Sequence, residues 1–412
     1  MTLTAADVVA PVSRYAQRVH AVAGERHHVA SPLGAWLLLA LCATPSEGEN
    51  RQSLNEVLGC DVADAAALAT ALLASPHPLV SAAAGAWHRP GAETPAMARW
   101  LAGLPAEVQS GPLPGQPALD DWARRHSFGL IERFPVSVDP ALRLLAATLL
   151  ATKVSWERPF DLAPAADLGP GSRWAGTLSQ VLRTPEDRGH GQSRGHEQFI
   201  ATTPEAGDVA VHTARAAGGL AVTSVTAASD VPPARVLATA YALATALADG
   251  DPPAAGPGPG GGSVARRSLF DLPLGEGPLW SITERNGPVR GGGGREERCA
   301  AVLPAWSART DLDLADPGLG FGAAAAALSP GDPWQARQAA MARYSRTGFE
   351  AAAASAVAVA LAMRVPRQGV IRTAELRFGH PYAAVAVTAG HGPWHGLPVF
   401  SAWVTDPQNA EP

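Results

Sequence analysis

A chain of 412 residues with 47% hydrophobic and 17% charged side chains has the composition of a folded globular protein, long enough to bury a large core. Its net charge of -5 offers no electrostatic footing for nucleic acid or an anionic membrane as partner. The opening M-T-L-T-A-A-D-V-V-A has no basic start, and no apolar run is long enough to cross a bilayer. Cys42, Cys60 and Cys299 are odd in number and spaced like no metal site. The expectation is a soluble chain in a reducing, cytoplasmic setting, with no metal and no cofactor.

In chain order, Val8, Val12, Tyr15, Val19 and Val22 recur at helical spacing and predict an amphipathic helix over 5–22. Ser31 suits an N-cap and Pro32 a first helical position, so a buried helix is predicted from there to Cys42. A further helix over 49–58 is stopped by Gly59. Residues 119–134 read as a helix starting at Asp120 and breaking near Gly129. The near-continuous apolar run over 142–162 suits a strand buried on both faces.

Residues 163–200 read as polar and turn-rich. Two alternating segments over 208–227, joined by a Gly-Gly turn, predict a strand pair. A helix follows over 236–247. The segments 249–263 and 291–294 are glycine-rich loops. Residues 338–345 read as a strand. Two buried strands close the chain, in L-R-F-G-H-P-Y-A-A-V-A-V and L-P-V-F-S-A-W-V-T-D-P.

Three chemical signals are weak. Gly191-Gln-Ser193-Arg-Gly195 matches a hydrolase elbow but lacks the apolar strand that such an elbow follows. His190, His196 and Glu197 fit neither one helical face nor a zinc signature, and a solvated turn is expected there. No strand precedes the 249–263 glycines and no Gly-Lys-Ser/Thr follows them, so they cradle no phosphate.

The chain is organised around T-G-F-E-A-A-A-A-S-A-V-A-V-A-L-A-M-R, from Thr347 to Arg364, which carries no charge between Glu350 and Arg364. Alanine favours helix, yet Val357, Val359 and Leu361 alternate with alanines at the period of a strand. A segment credible as loop, helix or strand is unusual, because natural sequences are normally consistent locally. We read that ambiguity as functional: a loop able to become a central strand.

Gly348 to Val359 resembles the hinge of the reactive-centre loop in the serpin family, whose inhibitory members carry Gly, a small residue, Glu, a run of Ala, then Thr or Ser and Ala. Other motifs stand in the family's order. They are Ser31-Pro32 before a buried helix, the helix end Leu58-Gly59, Lys153-x-x-Trp156-x-x-Pro159-Phe160, and Leu303-Pro304-x-Trp306. The closing strands match as well, with Tyr382 for Phe, Ala402 for Gly, and Pro407 kept. Elsewhere Gly34 stands for Ser, Thr148 for Asn, Arg346 for Glu, and Phe349 for a small residue.

The resemblance implies an α+β serpin fold in a single domain over 1–412. Its large central mixed β-sheet and two smaller sheets would be surrounded by about eight or nine helices, with an exposed loop near 346–374. It implies a serine protease inhibitor, not an enzyme, with no catalytic residues of its own. On that resemblance a protease would cut the loop, and the cut loop would enter the central sheet before the acyl-enzyme hydrolyses.

Its hinge would comprise Gly348, Phe349, Glu350, Ala351, Ala352, Ala353, Ala354 and Ser355. After insertion Phe349, Ala351, Ala353, Ser355, Val357 and Val359 would face inward. The region where the sheet opens would include Ser31, Thr148, Lys153 and Trp156.

Family spacing puts the reactive bond at Ala362-Met363, ahead of cleavage after Met363 or Arg364. Ala362 suits an elastase-like or subtilisin-like partner, and Arg364 a trypsin-like one. The resemblance also implies a monomer that forms loop-sheet polymers on heating. A non-inhibitory serpin-fold protein (substrate, carrier or chaperone) is the alternative.

Overall fold

The computed structural model describes residues 5–91, 94–139, 142–186, 195–248, 264–289, 294–328, 330–331, 334–349, 367–390 and 392–412. The chain opens with α1 (Ala5–Ala23), β1 (His28–Ala30), α2 (Pro32–Cys42), α3 (Gly48–Leu58) and α4 (Val62–Ala74). Helix α1 buries Val8, Val12, Tyr15 and Val19 of the expected stripe, with Val22 half-buried at its end. Every residue of α2 is buried, and the Ser31 hydroxyl accepts from the Gly34 N–H at its start. Gly59 closes α3 at φ 76°, a left-handed conformation that favours glycine.

Next come β2 (Val80–His88), α5 (Pro95–Ala102), β3 (Val108–Pro112), α6 (Gln116–His126) and β4 (Leu144–Thr152). Helix α6 starts four residues before the expected Asp120. That carboxylate instead takes bonds from the Gln116 side chain and the Phe134 N–H, both at 2.9 Å. The break falls as expected, with positive φ at Phe128 and Gly129.

The single strand expected over 142–162 is interrupted. Lys153 separates β4 from β5 (Val154–Ser155), and the chain turns before β6 (Asp161–Pro164). Then follow β7 (Gln180–Arg183), β8 (His196–Thr203), β9 (Gly207–Ala216), β10 (Leu220–Thr226), α7 (Pro233–Ala246), β11 (Ala265–Arg266) and β12 (Gly275–Glu276). The remainder is β13 (Trp280–Val289), β14 (Arg295–Leu303), β15 (Trp306–Asp313), α8 (Phe321–Leu328), β16 (Arg337–Tyr344), β17 (Gly348–Phe349), β18 (Arg367–Arg377), β19 (Tyr382–Thr388) and β20 (Pro398–Val404). Strands β7 and β8 stand where polar turns were expected, and β18 occupies 367–374, expected as loop.

Four sheets form. Their orders are β1-β20-β19-β10-β9-β8-β11, β12-β13-β18-β14-β7-β6, β15-β16-β17-β5 and β3-β2-β4. The described chain groups into two compact units, one of 1–153, 308–342 and 387–402, the other of 154–307, 343–386 and 403–412.

In the first unit β4 pairs antiparallel with β2, from Val80↔Thr152 to His88↔Leu144. One face of β4 sends Leu145, Ala147, Leu149 and Ala151 into a cluster with Trp87, Trp122 and Phe134, against which Ala339 also packs. The other face meets α2, where Thr148 Oγ1 donates to the Gly34 carbonyl at 2.6 Å. Among the described residues no ladder joins β4 to β16. An apolar cleft lies between their starts, lined by Leu38 and Cys42 of α2, Leu144 and Ala146 of β4, and Trp334 and Ala336.

In the second unit β18 is held on both edges. It runs antiparallel to β13 through ten pairs, Trp280↔Leu376 to Val289↔Arg367, and parallel to β14. Strands β8, β9 and β10 form an antiparallel meander; its β9–β10 half is the strand pair expected around the Gly-Gly turn at 218–219, and β10 is wholly buried.

Candidate functional site: the loop root and the strand edges

The root of the organising loop lies in the second unit. After β16 ends at Tyr344, the Ser345 N–H donates to the Gly348 carbonyl at 2.9 Å, closing a tight turn. Gly348 and Phe349 then run antiparallel to two neighbours. Phe349 pairs with Tyr344 on one side, and Gly348 and Phe349 pair with Ser155 and Val154 on the other.

Trp156 holds this turn twice, through Nε1 to the Ser345 carbonyl at 2.9 Å and through its N–H to the Thr347 carbonyl at 3.0 Å. The Phe160 N–H reaches the Arg346 carbonyl at 2.9 Å. Every carbonyl of the turn from Ser345 to Gly348 therefore has a donor, which holds the turn in place.

Phe349, bulky where a small residue was expected, is only 3% exposed. Its ring sits 6.5 Å from Trp156 and 6.2 Å from Trp306. Tyr344 packs 5.1 Å from Trp156 and stacks on Trp306 at 6.0 Å. An aromatic box thus accommodates Phe349, and Trp306 forms one wall of it. The sequence placed Trp306 in the Leu303-Pro304-x-Trp306 motif, but nothing in it signals that Trp306 meets Phe349.

The second group of expected residues lies in the first unit. Ser31 Oγ donates to the Val399 carbonyl at 2.8 Å. A Cβ at Gly34 would lie 3.1 Å from Ser31 Oγ and 3.2 Å from Leu150 Cδ1, so a larger residue there would crowd both. Gln338 of β16 was not foreseen. Its Oε1 accepts the Ser31 N–H at 2.9 Å, and its Nε2 donates to the Ser31 carbonyl at 2.7 Å. Ser31, Gly34, Thr148 and Gln338 therefore form one network at the N-terminal end of α2. Lys153 is exposed between β4 and β5.

Of the remaining expected residues, Glu350, Ala351, Ala352, Ala353, Ala354, Ser355, Ala362, Met363 and Arg364 lie outside the described residues. So do His190 and Ser193. His196 belongs to no solvated turn. It opens β8, is 5% exposed, and has its Nδ1 3.1 Å from His212 Nε2. Burial pushes the His196 pKa down to about 4 and holds that of His212 well below the usual histidine range.

No family model matches the sequence, and no curated protein matches it. Solved structures do resemble the fold. Serpin48 of the insect Tenebrio molitor aligns over 97% of this chain and 98% of its own, with a TM-score of 0.61 and 14% identity. Human thyroxine-binding globulin complexed with thyroxine aligns over 98% of this chain and all of its own, with a TM-score of 0.62 and 11% identity. The thermophilic serpin Tengpin in the native state aligns over 97% and 93%, with a TM-score of 0.61 and 10% identity. These likenesses span nearly the whole chain at low identity and establish its architecture: the protein has the serpin fold.

Proposed function

We propose that the protein is a member of the serpin family and inhibits serine proteases as a suicide substrate. The observation that carries this reading is the two-residue ladder of Gly348 and Phe349 between β5 and β16, together with the finding that β4 and β16 share no ladder among the described residues. Carried further down the same ladders, each inward loop residue would acquire one partner on β4 and one on β16 or on Ala336 just before it. Ala351 would meet Thr152 and Ala342, and Ala353 would meet Leu150 and Ala340. Ser355 would meet Thr148 and Gln338, and Val357 would meet Ala146 and Ala336.

The two registers are independent and agree. Thr148 and Gln338 both bond to the first turn of α2, and Ala146 and Ala336 both line the apolar cleft. The inward positions of the loop would therefore be Ala, Ala, Ser and Val, small enough to pass between packed strands.

In this mechanism the protease's serine attacks the Ala362 carbonyl, and the Met363 amine leaves. The freed strand, 349–362, spans about 46 Å at about 3.3 Å per residue and gains the pairing that the uncut loop forgoes. The uncut state is then favoured kinetically, not thermodynamically. Ala362 suits elastase-like and subtilisin-like partners, and cleavage after Arg364 would suit a trypsin-like one.

A second reading keeps the fold without inhibition. The burial of Phe349 against the Trp156 and Trp306 rings favours it, because a held loop root slows insertion. Incubation with elastase, subtilisin, chymotrypsin and trypsin separates the two. A covalent complex that survives denaturing electrophoresis with at least one of them supports inhibition, and cleaved protein alone supports the second reading.

A further inference from the structure

Beneath the loop root lies a pair of buried histidines that the proposed mechanism does not use. His196 Nε2 is 2.7 Å from the Arg158 carbonyl oxygen, and its Nδ1 is 3.1 Å from His212 Nε2. A carbonyl oxygen only accepts, so His196 carries its proton on Nε2 and its bare Nδ1 accepts from His212 Nε2. His212 Nδ1 is then left as an acceptor, buried and without a donor among the described residues. Its direct neighbours across the sheet, Gln198 and Ser224, each carry a buried polar atom without a partner too, Oε1 and Oγ. The chain of neutral rings has one consistent proton arrangement.

This pair supports the residues that hold the loop. The Phe160 ring lies 4.5 Å from His196 and 5.4 Å from His212, then 5.7 Å from Tyr344 and 6.3 Å from Trp156. The Phe160 N–H holds the Arg346 carbonyl. Two bonds thus tie the 157–160 turn to both the imidazoles and the loop root.

The surrounding charges favour neutrality. Arg158 opposes a second cation on His196. Glu197 and Arg215 pair with each other at 3.5 Å, on the strand face opposite the imidazoles. Glu157 and Arg346 meet this region through backbone bonds, and the buried Tyr344 phenol stays protonated.

We propose that the His196–His212 pair positions the loop root and releases it on protonation. A proton on His196 Nδ1 would set two N–H groups against each other across 3.1 Å. One on His212 Nδ1 would bury a cation with no carboxylate among the described residues to receive it. Either breaks the chain of neutral rings, frees the 157–160 turn, and loosens the hold of Trp156 and Phe160 on 345–349. The device works on the uncut protein and stands whether or not a protease is trapped.

Amide hydrogen exchange on the intact protein, read by mass spectrometry over 154–160 and 343–349 and corrected for intrinsic rates, tests it. Protection should fall about tenfold between about pH 7.5 and about pH 4.5 in the wild type. It should stay flat in the double variant H196Q/H212Q, in which each amide retains a donor. The variant H20F, altered at a separate buried histidine of the first unit, should keep the drop.

Unchanged wild-type protection, or an equal drop in H196Q/H212Q, would overturn the proposal. If the double variant does not fold, nitrogen-15 histidine NMR of the wild type decides. The proposal requires both rings neutral with Nε2 protonated at about pH 7, and a charged ring there overturns it.

Discussion

Phe349 pairs with Val154, the last described rung of a ladder that Gly348 and Ser155 begin. That rung fixes parity. Because side chains alternate along a strand, the odd-numbered residues after Phe349 share its inward face once the loop extends the ladder.

Parity gives the first prediction. Ala353→Arg or Ala351→Glu should convert inhibitor to substrate, because each drives an unpaired charge beneath the sheet. That burial costs several kcal/mol, enough to slow insertion at least about a hundredfold. Ala352→Arg, outward in the proposed inserted strand, should retain most trapping. The number of protein molecules consumed per trapped protease measures this, and equal effects at 352 and 353 would contradict the register.

The Gln338 clamp on Ser31 gives the second. Gln338→Ala leaves the N–H and carbonyl of the buried Ser31 without their side-chain partners, at a cost of about 1–3 kcal/mol. Gln338→Glu keeps an acceptor for the N–H and loses the donor, so it should fall between wild type and alanine above neutral pH. Urea unfolding midpoints order the three.

The contrast between Ser31 and Gln338 marks where sequence reading succeeded and where it stopped. Local chemistry writes Ser31-Pro32 as a helix start and Gly59 as a helix end, and both stand where expected. The strands β9 and β10 were legible from alternation around a Gly-Gly turn. Gln338 carries no such mark, since its partner lies 307 positions away in sequence.

The short strands β5 and β17 are defined by pairing, β17 with both β5 and β16, and two residues have no periodicity to read. Strand β13 carries Glu284, Arg285 and Asn286 in its middle and so did not read as a strand. Its extended form rests on pairing with β18, including Glu284 with Arg372 at 2.8 Å. His196 looked solvated because its neighbours in sequence are polar, whereas its neighbours in space are Phe160 and His212.

The aromatic box gives the third prediction. Phe349→Ala empties a buried site against Trp156 and Trp306 and should destabilise the uncut protein by about 3 kcal/mol. Phe349→Leu should cost less than half as much. Chemical unfolding followed by tryptophan fluorescence measures both.

Acid stability gives the fourth. In the first unit His28 Nδ1 donates to the Arg26 carbonyl at 2.8 Å, so His28 Nε2 accepts from His20 Nδ1, and His20 Nε2 accepts from the Ser401 hydroxyl. Burial lowers the His20 pKa to about 3. Near pH 8 neither folded nor unfolded chain protonates this ring, so it is neutral to stability. Below about pH 6.5 the unfolded chain binds a proton that the folded chain refuses, and stability falls by about 1.4 kcal/mol per pH unit until about pH 3. His20→Phe should flatten part of that slope, and urea midpoints across the range check it.

The central claim is that the cut loop becomes a strand between β4 and β16. It is tested most directly by cleaving the loop within 362–364 with catalytic protease, removing the protease, and comparing melting temperatures of cut and uncut protein. The account predicts a rise of more than about 20 °C, since a full strand's pairing and burial are gained at once. A melting temperature that stays the same or falls, as for any nicked surface loop, would contradict it.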